Sequence, residues 1–137
     1  YGANVIDRFR AGEKISTNDY IQALRDNERI RRDIEILFQE ADLLLMPSVQ
    51  ILPPEIGDRE VTVDGKKLDI VSCCVRFTRL ANITGIPAIT LPFGYSTEGL
   101  PLSIQLMTQR LCEGKLLAFA QALELETPEL RSRKPEI

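Results

Sequence analysis

The sequence has no histidine and no tryptophan in its 137 residues. Without histidine, Ser-His-Asp and Cys-His catalytic arrangements are excluded, and so is the usual general base of neutral pH. A zinc site would need thiolates and carboxylates at workable spacing, and none stand that way, so no metal or other cofactor is expected. Cysteine is scarce as well. Cys73 and Cys74 are adjacent and Cys112 lies far along the chain. An odd count with no Cys-x-x-Cys argues against a disulfide framework and for the cytoplasm as compartment. Cys73 and Cys74 read as buried helix cysteines, the common fate of the free thiol, ahead of a reactive vicinal pair.

Long apolar runs are also missing. None approaches the ~18–20 residues that cross a bilayer, and no charged-then-apolar leader opens the chain. Basic excess is absent: 17 Lys and Arg stand against 20 Asp and Glu, for a net charge of −3. Nucleic-acid binders draw much of their affinity from counterion release at phosphates, so neither nucleic acid nor a membrane is an expected partner. The cluster Arg25, Arg29, Arg31 and Arg32 is balanced by Glu28 four before Arg32 and Asp33 four after Arg29. That spacing makes ordinary intrahelical pairs on a solvated face. The tail Arg131-Ser132-Arg133-Lys134 reads as frayed.

What is present suits a folded domain with one core: 44% of residues are hydrophobic and 27% charged. The chain opens at Tyr1-Gly2 without methionine, and a helical pattern is already under way at Val5, Ile6 and Phe9. We read this as a piece of something longer. Ser16-Thr17-Asn18-Asp19 supplies helix-start chemistry, hydroxyls for orphan N–H groups and an acid in the first turn. The helix should run to about Glu40, with Tyr20, Ala23 or Leu24, Ile30, Ile34, Leu37, Phe38 and Ala41 as its buried stripe. Leu43 to Met46 is continuously apolar, which predicts a strand buried on both faces and ended by Pro47.

Ser48 to Gly57 is proline-rich and should be an extended loop. Val61-Thr62-Val63, then Asp64-Gly65, then Lys66-Lys67-Leu68 reads as a surface hairpin. A helix is predicted from Asp69 or Ile70 to about Thr84, stopped by Gly85. Ala88 to Leu91 is a short apolar strand halted by Pro92, and Leu102 to Leu106 alternates as a half-buried strand does. A last helix spans about Glu113 to Glu126 and ends at Pro128. The order predicts an α/β fold, a mixed β-sheet flanked by helices. Such a sheet would be incomplete in so short a chain, leaving an apolar edge or face that favours self-association.

Four blocks, in order, carry a resemblance. They are Arg8-x-x-x-Gly12 with Ile15-Ser16, Asp19-Tyr20 and Arg29; Asp42 through Ser48; Asn82-x-x-Gly85-x-Pro87-Ala88 with Pro92-x-Gly94, Gly99-Leu100-Pro101 and Gln105; and Glu113-x-x-Leu116-Leu117-x-x-Ala120. Together they resemble the C-terminal portion of the amidase-signature family. The resemblance implies that residues 1–137 are part of an amidase-signature domain whose catalytic N-terminal portion is absent. The parent enzyme would hydrolyse amide carbon–nitrogen bonds with a serine nucleophile, a second serine in a cis peptide and a lysine base. The Gly/Ser-rich stretch that carries those serines in the family is missing here, and none of Lys14, Lys66, Lys67, Lys115 or Lys134 matches the motif of its lysine. The chain alone is therefore not expected to be an enzyme and has no catalytic residue of its own.

The resemblance further implies one wall of a pocket for a small-molecule amide, formed by Pro47 and Ser48 at the end of a strand and by Cys74, Val75 and Thr78 on the following helix. Cys74, Val75 and Thr78 would serve equally as core. Asn82 reads as a structural hydrogen-bonder near the helix end. The A subunits of aminoacyl-tRNA amidotransferases, which hydrolyse the amide of glutamine, resemble this chain too. They carry an acid seven residues before the asparagine, where this chain has Val75. A general amidase with a less polar substrate is favoured by that count. An independent interaction module is the reading from another class.

Overall fold

The computed structural model describes residues 2–132; Arg133 and Lys134 of the basic tail lie outside them. The elements run α1 (Ala3–Gly12), α2 (Thr17–Glu40), β1 (Leu44–Pro47), β2 (Glu60–Val63), β3 (Lys66–Asp69), α3 (Ile70–Val75), α4 (Arg79–Thr84), β4 (Ala88–Tyr95), β5 (Pro101–Met107), α5 (Glu113–Glu126) and α6 (Pro128–Ser132). Local chemistry explains most boundaries. Ser16 caps α2 by accepting from the Asp19 N–H at 3.1 Å, and Asp69 caps α3 by accepting from the Ser72 N–H at 2.8 Å. Asp64 and Gly65, both at positive φ, close the β2–β3 hairpin as a two-residue turn of the kind that matches strand twist. Gly85 stops α4 at φ 70°, its N–H donating to the Ala81 carbonyl at 2.8 Å.

The main sheet has the order β1-β5-β4, with every pair antiparallel. The α/β class holds, but the sheet is not mixed in direction, because β5 lies between the two strands that share a heading. Side chains alternate across it. Ile104 and Leu106 of β5 face α5, where they meet Leu91, Leu116 and Ala120. Met107 faces the other way, against Ile34 of α2 and Ile86, with Leu80 and Ala81 of α4 beside them. Helices thus cover both faces of the central strand. Leu106 and Met107 are the most deeply buried large apolar residues, and each stabilises the fold by about 1.5–3 kcal/mol relative to exposure.

Buried polar groups tie the layers. Thr108 donates from Oγ1 to the Asp42 carbonyl at 3.0 Å and from its N–H to the Pro87 carbonyl at 3.3 Å. Thr84 turns its hydroxyl back on the Leu80 carbonyl at 2.6 Å. At the surface, the exposed Lys115 of α5 reaches the exposed Asp42 at 2.5 Å.

Five expectations are corrected. The helix expected over 70–84 is two helices, because donors off the helix ladder take its middle carbonyls: Thr78 Oγ1 donates to the Val75 carbonyl at 3.3 Å and Gln105 Nε2 to that of Phe77 at 3.4 Å. Pro92 does not halt β4, since an edge strand tolerates a missing N–H and the irregularity between Pro92 and Gly94 absorbs it. The strand at Leu44–Pro47 is an edge strand with alternating burial, leaving Leu45 59% exposed, so it is not covered on both faces. Along α2, Ile34 is buried while Tyr20, Leu24 and Leu37 are exposed. The helix over Glu113–Glu126 ends before Pro128 as expected but is not the last, because Pro128, which needs no N–H partner as a first helical residue, opens α6.

The α2 ion pairs also fall at different spacing, Asp26 with Arg29 and Glu28 with Arg31, while Arg32 donates to the Glu28 carbonyl. No helix among the described residues is long and apolar enough to cross a membrane.

Candidate functional site

Three segments distant in sequence meet at one end of the sheet. β1 finishes at Pro47, the proline-rich loop turns back over the sheet, and β5 begins at Pro101 beside the irregularity in β4. Ser48 fastens the loop. Its N–H donates to the Ser103 carbonyl at 3.1 Å, extending the β1–β5 ladder, and its Oγ donates to Thr90 Oγ1 at 3.4 Å. Beyond Ser48 the loop lays Val49, Ile51 and Leu52 opposite Pro101 and Leu102.

Two adjoining cavities open there, of about 360 and 460 Å³. Each is of a size that small-molecule sites have. They share Val49, Ile51, Leu52, Pro101, Leu102 and Ser103. Pro47 and Phe93 extend the first, while Thr90, Pro92 and Cys74 of α3 extend the second. The result is a largely apolar groove with a hydroxyl on Ser103, another on Thr90 and a thiol on Cys74. Among the described residues, no lysine, arginine or carboxylate lines either cavity. An apolar groove with few polar groups can hold and orient a small organic molecule, but it offers no nucleophile–base pair.

The residues expected at a pocket wall are therefore distributed. Pro47 and Cys74 line the groove from opposite sides; Ser48 lies beneath it, 4% exposed and bonded to the lining Thr90. Val75 ends α3 half-buried and Thr78 sits in the break before α4; neither lines these two cavities. The helix break interrupts the i, i+1, i+4 face that would have brought Cys74, Val75 and Thr78 together. Asn82 is exposed on α4, and its backbone N–H donates to the Thr78 carbonyl at 3.4 Å. Cys73 is buried in α3, while Cys74 and Cys112 are half-buried, and all three thiols are free.

Val49, Ile51, Leu52, Phe93 and Leu102 were not legible as lining residues. Their signal was nevertheless present, since apolar side chains inside a proline-rich loop need a reason to be there.

Helices on both faces of a short antiparallel sheet, with an apolar groove at one end, define an α/β domain. The amidase family model matches residues 4–117. The chain belongs to the amidase family. It is similar to a subunit of the glutamyl-tRNA(Gln) amidotransferase of Neisseria meningitidis, with 30% identity over 141 residues covering 99% of this chain and 28% of the relative. It is also similar to the fatty acid amide hydrolase of Arabidopsis thaliana, 30% identical over 129 residues, covering 94% of this chain and 21% of that one. Among solved structures, an amidase superposes with a TM-score of 0.84 at 25% identity, covering 92% of this chain and 29% of its own. A 6-aminohexanoate cyclic dimer hydrolase superposes with a TM-score of 0.75 at 26% identity, covering 90% of this chain and 27% of its own. The chain thus spans 28% or less of the length of these two curated relatives.

Proposed function

We propose that this chain is the C-terminal portion of an amidase-signature domain, and that the whole protein is a cytoplasmic hydrolase of carbon–nitrogen bonds in a small-molecule amide. The chain's own part is one wall of the substrate pocket. Pro47 and Cys74 line it and Ser48 supports it from beneath, while Val75 and Thr78 belong to it on the resemblance alone. The observation that carries this reading is the groove. Residues from 47 to 104 converge on one concave apolar surface that can hold a substrate yet has no base beside its hydroxyls.

The chemistry belongs to residues outside this chain. A serine would attack the amide carbonyl, backbone N–H groups would hold the oxyanion, the amine would leave, and water would clear the acyl-enzyme. The apolar wall suits a general amidase. The likeness to an amidotransferase component supports a second reading, glutamine amide hydrolysis. Val75 weighs against it, because an apolar side chain gives no partner to the ammonium group of glutamine.

The test is hydrolysis of simple aryl and aliphatic amides by the 137-residue chain and by the longer protein read from the gene upstream of Tyr1. The longer protein is expected to turn them over, and the chain alone to be inert. Turnover by the repurified chain alone, or an upstream frame that starts immediately before Tyr1, would overturn the reading in favour of another enzyme or an independent module.

A further inference from the structure

A third cavity lies on the other side of α3 and has opposite chemistry. About 480 Å³ in volume, it is lined by Lys67 of β3, by Asp69 and Ser72 at the start of α3, by Arg76 and Arg79 around the helix break, and by Gln50. Three cations face one carboxylate there, in a chain whose net charge is −3.

Asp69 accepts the Ser72 N–H at 2.8 Å as the cap of α3 and is the one carboxylate among the three cations. Lys67 pairs with Glu60 at 3.4 Å, both side chains well exposed, and such a pair is worth little. Among the described residues, Arg76 and Arg79 form no ion pair. Nearby guanidinium groups repel one another unless an anion neutralises them.

Gln50 connects this cavity to the apolar groove, for it lines both this cavity and the one bounded by Pro47 and Phe93. Its Oε1 is buried without a hydrogen-bond partner in the protein. A buried acceptor left unpaired costs free energy, which a turn of the Gln50 side chain toward the N–H of a bound molecule would recover. An apolar trough, an acceptor that lacks an N–H and a cationic cavity stand side by side.

We propose that this cavity is an anion subsite, so that the amide taken by the groove carries a carboxylate. The apolar body lies along Ile51, Leu52 and Leu102, an amide N–H donates to Gln50 Oε1, and the carboxylate sits against Arg76 and Arg79. Guanidinium forks suit a carboxylate because they bind it through paired, charge-assisted hydrogen bonds. The proposal rests on the amide-hydrolase reading and adds the charge of its substrate.

The test is calorimetric titration of the 137-residue chain with octanoate, octanamide and octylammonium at low salt. Octanoate should bind at least about tenfold tighter than octanamide, as charge-assisted hydrogen bonds warrant, and octylammonium weakest. The double variant Arg76→Gln/Arg79→Gln should reduce the octanoate preference to less than about twofold while keeping octanamide affinity, since only charge is removed. Lys66→Gln, a charge on the same hairpin outside the cavity, should leave the preference intact.

Equal affinities, no binding of octanoate at millimolar concentration, or a preference that survives the double substitution would each overturn the subsite. In the longer protein, equal kcat/KM for neutral and carboxylated amides would remove the subsite and leave the hydrolase standing. Failure to hydrolyse any amide, with the octanoate preference intact in the chain, would do the reverse.

Discussion

The sheet and the N-terminal helical arm both carry apolar patterns and end in opposite states. Around β5, Leu106 and Met107 are 1% and 0% exposed, clasped between α5 on one face and α2 and α4 on the other. In the arm, Phe9 is 67% exposed, and Ile15, Tyr20, Ile21 and Leu24 are exposed beside it. Only the later part of α2, with Ile30, Ile34 and Phe38, reaches the sheet. A helical stripe states that a helix has a face to bury; it does not state that this chain supplies the partner. The arm is held by its own hydrogen bonds and caps, the sheet by burial.

That contrast is open to direct attack. The largest expected effect is Leu106→Ala, which should cost about 2–5 kcal/mol because it empties a closed site. Leu24→Ala should stay within about 0.5 kcal/mol, since its side chain already meets solvent. Urea melts of the two variants decide the matter, and comparable losses would mean that the arm is packed in solution.

Glycines sharpen the same divide. Gly85 holds φ 70° at the end of α4, and a Cβ there costs about 1–2 kcal/mol. Gly12 ends α1 without positive φ, and a Cβ there would meet nothing within 4 Å. Gly12→Ala should therefore be neutral or stabilising by up to about 1 kcal/mol. A melt in which Gly85→Ala is the milder change would show the helix stop to be misplaced.

Association tests what the exposed apolar surface does. We expect the chain to self-associate at micromolar concentration through β1 and the arm, with little change on adding salt, because the contact is apolar. Leu45→Lys, placing a charge on the exposed face of an edge strand, should raise the monomer fraction in sedimentation. An unchanged distribution would move the contact to the arm alone, and a monomer at all concentrations would refute it.

The smallest effect is Ser16→Ala. Loss of the cap is worth about 0.5–2 kcal/mol to the helix, but the first turns of α2 are exposed from Ser16 to Arg25. The loss should appear as faster amide exchange near Asp19, with the global urea midpoint unmoved. A shift of that midpoint would tie the arm to the core.

Much of the local structure was legible because its causes lie within a few residues. Ser16 and Asp69 sit where caps are needed, Asp64-Gly65 provides the two positive φ values of a tight hairpin, and Gly85 ends a helix. The break between α3 and α4 was not, because it depends on Gln105, 28 residues further on, reaching the Phe77 carbonyl. Nor was the course of β4 through Pro92, which is tolerable only because β4 turned out to be an edge. At the candidate site, Pro47, Ser48 and Cys74 could be named from resemblance, while Leu52, Phe93 and Leu102 emerged only once the loop was seen folded over the start of β5.

The sequence by itself determined the caps, turns, helix stops and family, since these depend on residue type at short spacing and on ordered blocks. It also excluded histidine chemistry within these 137 residues. Tertiary structure alone decided which apolar stripes find a partner, which strand occupies the centre of the sheet, and that an apolar groove and a cationic cavity adjoin across α3 with Gln50 between them. The physical reason is range. Backbone conformation and capping are settled within a turn or two, whereas burial and cavity chemistry are settled by whatever the rest of the chain brings alongside.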